Sequence, residues 1–146
     1  MALASGCRQG ELLGLIWSNL DLAGGVMHVR QQLQVVNGAP GRVDLKTAKS
    51  RRSLPPRASV VALLQDHRTR QRFLLGDAWS DGGHVFVSSS GTPLDSRNVT
   101  QKFQRVLAAA GLRRMRFHDL RHSAATWLLL AGVPDRVIMQ QLGHSH

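Results

Sequence analysis

The sequence contains no tyrosine. No phenol is therefore available as a nucleophile. Cysteine is nearly absent too: the single Cys7 excludes an internal disulfide and agrees with a reducing, intracellular setting. Long apolar runs are missing. None, Trp127 to Ala131 included, comes near the roughly 20 residues that cross a bilayer. Met1 to Ser5 carries neither the basic region nor the apolar stretch of a secretory signal. Acidic residues are scarce, nine in all, and they form no cluster suited to divalent metals.

What is present is positive charge. Nineteen Lys and Arg leave a formal net charge of +10. A surface this basic attracts polyanions at long range, and nucleic acid is the foremost of these. A solubilising charge or a basic ribosome-associated protein would share this composition, so composition alone does not decide. The 146 residues, 42% of them hydrophobic, suffice for one domain with a real core.

Patterning predicts a mainly helical fold with one small three-stranded antiparallel sheet inserted early. Ala2 to Ser5 reads as a helix stub ended by Gly6, which suggests that more chain precedes it. A second helix is expected from Gln9 to Trp17, with Leu12, Leu13, Leu15 and Ile16 as its apolar face. Met27, Val29, Leu33 and Val35 alternate as in a strand; a turn follows at 37–41. Val43, Leu45 and Thr47 continue as a second strand, Ser50 to Leu54 as a third, and Pro55-Pro56 halts the sheet. A helix is expected over Ala58 to Leu75, a loop over Asp77 to Gly83 and a short strand over His84 to Ser88. Ser96 would cap a helix closed by Gly111. After a basic connector, Leu112 to Arg116, one helix runs from His118 to Leu130. A last one, with Pro134 in its first turn, is closed by Gly143.

Four segments carry chemistry. The helix start His118-Asp119-Leu120-Arg121-His122 puts His118 and Arg121, three apart, on one face. Leu120, Ala124, Trp127 and Ala131 form a neighbouring stripe that can bury. Free amides at the helix start favour an anion, arginine offers a two-pronged donor, and histidine can move a proton near neutral pH. A zinc reading of His118 and His122 is disfavoured. Asp119 stands where the zinc helix has glutamate, no third ligand is evident, and Arg121 would put a cation beside the metal. In the second segment, Arg8 and Glu11 are three apart, so the carboxylate can hold the guanidinium; alone, this is a surface ion pair. The third segment, Leu45 to Arg52, offers Lys46 and Lys49 across a strand and its turn, where a lysine can protonate a departing alkoxide. The fourth is Leu142-Gly143-His144 behind the last helix.

In this order the four segments resemble the tyrosine recombinase and phage integrase family: Arg8 within Gly-x-Arg-x-x-Glu-Leu, Lys46 on the sheet, His118-x-x-Arg121-His122 and Leu-Gly-His144. The resemblance runs nearly the whole chain and implies that family's helical catalytic domain over residues 1–146, cut short at both ends. It implies that Arg8 and Arg121 hold the non-bridging oxygens of a scissile phosphate and that Glu11 orients Arg8. His118 would handle a proton, with His122 beside it. His144 would support the phosphate or the nucleophile, and Lys46, with Lys49 as rival, would be the general acid. The implied reaction is site-specific recombination of double-stranded DNA through a 3′-phosphotyrosyl link, with no cofactor and with self-association on DNA. The family's nucleophile follows the Leu-Gly-His element, and none is present here. Neither Cys7 nor a serine, Ser145 included, stands in for it. These 146 residues are therefore expected to bind DNA weakly and not to cleave it. Two other readings stay open: a non-enzymatic helix-turn-helix-like DNA module presenting Asp135, Arg136, Gln140 and Gln141, and a decayed remnant of the same fold.

Overall fold

The early alternation of apolar residues resolves into two sheets, because the strand expected through Met27 and Val35 breaks at Arg30. The computed structural model describes residues 1–144; Ser145 lies outside the described residues. The strands are β1 (Leu20–Asp21), β2 (Val26–Val29), β3 (Gln31–Val36), β4 (Ala39–Asp44) and β5 (Arg52–Leu54). A three-stranded antiparallel sheet has the order β1-β2-β5, with Met27 opposite both Leu20 and Leu54 and Val29 opposite Arg52. Strands β3 and β4 form a separate antiparallel hairpin whose tip, Asn37-Gly38, is left-handed at both residues. The mainly helical class and a three-stranded sheet are as expected. The membership differs, because the middle segment pairs with its own hairpin partner and the short β1 takes its place.

Among the described residues the α-helices are α1 (Ala2–Ser5), α2 (Gln9–Leu13), α3 (Ala58–Leu75), α4 (Ser96–Ala109), α5 (Asp119–Leu130) and α6 (Asp135–Leu142). Helix α2 stops four residues earlier than its apolar pattern suggests, and Trp17 begins a 3-10 turn instead. Helix α4 is capped by Asp95, whose carboxylate accepts from the amides of Arg97 and Asn98; Ser96 is the first helical residue. Residues 84–88 form no strand, only isolated bridges from His84 to Ile16 and from Val87 to Pro93.

The core is built from Leu12, Leu15, Trp17, Met27, Val29, Leu54, Leu64 and Val85. One buried amide organises its polar side. Gln71 Oε1 accepts from the indoles of Trp17 (2.6 Å) and Trp79 (3.1 Å), while its Nε2 donates to the Val85 carbonyl (3.0 Å). Helix α1 packs on α5, and α6 packs on both α5 and β5. The two ends of the chain therefore meet, and the third strand lies beside them. On α5 the expected stripe is buried only in part: Ala124 (5% exposed) points inward as expected, but Arg121 (3%) joins it, whereas Trp127 is 58% exposed. These two inward residues are three apart and both face Gly6 at the end of α1.

Candidate phosphate-binding site

The site grows from the turn between α1 and α2. Gly6 closes α1 with a φ of 67°, and a Cβ there would stand 2.5 Å from Leu142 Cδ2, so the turn and the end of α6 can touch only at glycine. Arg121 fills the space between them. Its Nη1 donates to the Gly6 carbonyl at 2.7 Å and its Nη2 to the Leu142 carbonyl. One guanidinium thus ties the start of the chain to its last helix.

Arg8 opens α2. Its backbone amide donates to Glu11 Oε2 (2.8 Å) and its Nη1 to Oε1 (3.2 Å). The Arg8 side chain is 40% exposed, whereas that of Glu11 is fully buried. The carboxylate therefore holds the arginine from below and leaves its outer edge open. Beneath it, Arg52 on β5 grips the same carboxylate with both terminal nitrogens, at 3.1 and 2.9 Å. Burial alone would raise the Glu11 pKa, but Arg52, followed by the amide and charge of Arg8, outweighs it and holds the carboxyl below its usual range. Burial would lower the Arg52 pKa, and Glu11 more than offsets that.

The remaining charges crowd the same place. Burial, then the positive charges of Arg8 and Arg52, push Arg121 down to about 10, against the opposing pull of Glu11. It stays protonated at neutral pH and is short of negative charge. His144, exposed at the end of α6, is held below its ordinary value by burial and then by Arg121, Arg8, His122 and Arg52. His118 is depressed by burial and then by His122, Arg121, Arg116 and Arg8; its ring meets that of His122 edge-on at 5.1 Å. The charges of Arg8 and Arg121 thus bear on both His118 and His144, with Glu11 bonded to Arg8 and His122 against His118. A cationic cluster that depresses its own bases is electrostatically prepared for an anion.

The lysines sit differently. Strand β4 ends at Asp44, so Lys46 lies in the exposed turn after it rather than on the sheet. Lys49, in the same turn, lines an open trough of about 1030 Å³ together with Arg51, Arg52, Arg136, Gln140 and His144; Lys46 is outside that lining. No group of three or more His, Cys, Asp or Glu suited to a metal occurs among the described residues. No helix there is long and apolar enough to cross a membrane. Sequence reasoning missed Arg52. It sits in a basic run with Lys49 and Arg51, and only its pairing opposite Val29 turns it inward.

Fold and site define a mainly helical domain that joins its two ends around a cluster of cationic side chains. The chain belongs to the phage integrase family, whose sequence model matches residues 1–146. A tyrosine recombinase XerC-like protein of Caldanaerobacter subterraneus subsp. tengcongensis is 31% identical over 163 residues, taking in 100% of this chain and 41% of that protein. An integrase of Streptomyces ambofaciens is 35% identical over 158 residues, 99% of this chain and 40% of its own. Among solved structures, the XerA recombinase matches with a TM-score of 0.78 at 26% identity, over 99% of this chain and 47% of that one. The Tn1549 transposon integrase in complex with circular intermediate DNA shares the fold with a TM-score of 0.86 at 24% identity, over 99% and 50%. The chain spans about two fifths of the length of these two sequence relatives.

Proposed function

We propose that residues 1–146 form the phosphate-clamping part of the catalytic domain of a longer site-specific DNA recombinase. The observation that carries this reading is that Arg121 donates to the carbonyls of Gly6 and Leu142, each two residues before Arg8 and His144, and so joins the two ends of the chain. Arg8 and Arg121 bind the two non-bridging oxygens of a DNA phosphate. In an in-line displacement negative charge grows on those oxygens, and fixed guanidinium donors lower the barrier by about 3 kcal/mol each. His118 and His144, neutral at pH 7, donate hydrogen bonds or accept a proton at the same phosphate. A lysine of the turn protonates the departing 5′-oxygen. Lys46 fits the family's pattern, and the trough shared with His144 supports Lys49.

In the longer protein the nucleophile is a tyrosine supplied from outside these residues, and the product of attack is a 3′-phosphotyrosyl link. The partner is double-stranded DNA inside the cell, with copies of the protein associating on it. The sequence has no tyrosine, so these residues bind DNA through its phosphates, weakly and without sequence preference, and do not cut it. Arg136 and Gln140, which a groove-reading helix would present elsewhere, line the same trough as Lys49 and His144. That favours one shared DNA surface over a separate reading module.

Incubation with a nicked suicide duplex tests both halves. This chain should form no covalent adduct, whereas a version extended to a downstream tyrosine should form one, which Arg121→Ala abolishes. An adduct formed by the 146 residues alone would overturn the proposal, as would an extended Arg121→Ala protein that reacts normally.

A further inference from the structure

Arg52 has every donor engaged, and its acceptors lie in three separate segments: Cys7 and Glu11, Ser50, and Gln141. A guanidinium carries five N–H groups in a fixed plane. In Arg52, Nε donates to the Gln141 carbonyl (2.6 Å), Nη1 to Glu11 Oε1 (3.1 Å) and to the Ser50 carbonyl (3.0 Å), and Nη2 to Glu11 Oε2 (2.9 Å) and to Cys7 Sγ (3.7 Å). Its side chain is only 5% exposed, so nearly all of its surface is committed to the protein. Glu11 holds Arg8; Gln141 is in the last turn of α6, three residues before His144; Ser50 closes the turn that carries Lys46 and Lys49. Gly143 fits against the same group: a Cβ there would stand 2.9 Å from Arg52 Nη1 and 3.2 Å from Cζ.

We infer that Arg52 is a positioning residue that sets Arg8, His144 and the lysine turn in mutual register, so that the clamp closes on one phosphate. The inference rests on the clamp proposed above. Lysine keeps the charge but has three donors on a single atom and cannot span Glu11, Gln141 and Ser50 at once. Loss of the fork releases three elements together, whereas a merely structural role would lower stability and leave the folded site unaltered.

The test titrates inorganic phosphate into the isotopically labelled chain and its Arg52→Lys variant. The side-chain Nε–H signals of Arg8 and Arg121 and the imidazole of His144 are followed by NMR. In the unsubstituted chain all three should shift with one dissociation constant. In Arg52→Lys, under conditions where it remains folded, the affinity should fall about tenfold, the equivalent of one charge-assisted hydrogen bond. Arg8 and His144 should then no longer titrate with a common constant. If Arg52→Lys does not fold, Arg52→Gln, in which Arg8 still pairs with Glu11, takes its place with the same expected loss. A common constant and unchanged affinity in the folded variant would overturn the role of Arg52 while leaving the clamp intact. The absence of any phosphate response at Arg8 and Arg121 in the unsubstituted chain would overturn the clamp itself.

Discussion

The guanidinium of Arg121 donates to the carbonyl of Gly6 across 115 positions of sequence, and Arg8 follows two residues after that carbonyl. A buried hydrogen bond thus fixes where one arginine of the clamp stands relative to the other. Both terminal nitrogens of Arg121 have backbone partners, Gly6 and Leu142. A lysine at this position reaches only one of them. Arg121→Lys should therefore cost about 1–3 kcal/mol of stability, the effect of leaving a buried carbonyl unsatisfied. Urea denaturation measures this, and an unchanged midpoint would mean that the two carbonyls do not depend on Arg121.

Gly143 meets two constraints at once. Its φ of 69° is left-handed, and its Cα side faces the Arg52 guanidinium. The backbone strain of Gly143→Ala alone costs about 1–2 kcal/mol. The added methyl must also displace Arg52, so phosphate affinity should fall along with stability. Glycine 38 provides the comparison: its φ is 78° and nothing lies within 4 Å of a Cβ there. Gly38→Ala should therefore show the strain cost with phosphate affinity unchanged. Paired denaturation and phosphate titrations separate the two effects.

The histidines predict opposite pH dependences for stability and for anion binding. Folding depresses the pKa of both His118 and His144, through burial first and neighbouring cations next. In the window below about 6.5, the ordinary histidine value, the unfolded chain therefore binds more protons than the folded one. Stability contributed by these groups is present above that value and is lost as pH falls through it towards their lowered values. A bound phosphate offsets the repulsion and favours protonated imidazoles, so anion affinity should rise over the same fall in pH. Titration with sulfate, whose charge is constant over this range, and urea denaturation at a series of pH values between 5 and 8 check the two signs. Parallel trends would show that the imidazoles do not face the anion.

Much of this architecture was legible because local chemistry decides it. Helix α3 runs from Ala58 to Leu75 as its pattern implies, and Gly6 and Gly143 end their helices in the left-handed conformation that glycine tolerates. The residues proposed for the clamp were picked out by residue type and order, from Arg8 to His144. Partners set by register were not. The break at Arg30 separates two sheets that a continuous alternation merges, and it takes Lys46 off the strand. The same register faces Arg52 inward, although in sequence it is one more cation in a basic run. Trp127 looked like core and Arg121 like surface, yet the packing of α5 on α1 reverses them. Sequence periodicity gives a helix a face but does not name the neighbour that covers it.

The central claim is that Arg8 and Arg121 act on one phosphate, and a double-substitution cycle on duplex DNA affinity tests it most directly. Arg8→Ala, Arg121→Lys and the pair are compared in folded protein at fixed salt, because phosphate contacts are strongly salt-dependent. Two arginines on the same phosphate should couple by more than about 1 kcal/mol, with the pair costing less than the sum of the singles. Additivity within about 0.5 kcal/mol would mean that the two side chains serve separate contacts, and the clamp as described would not exist.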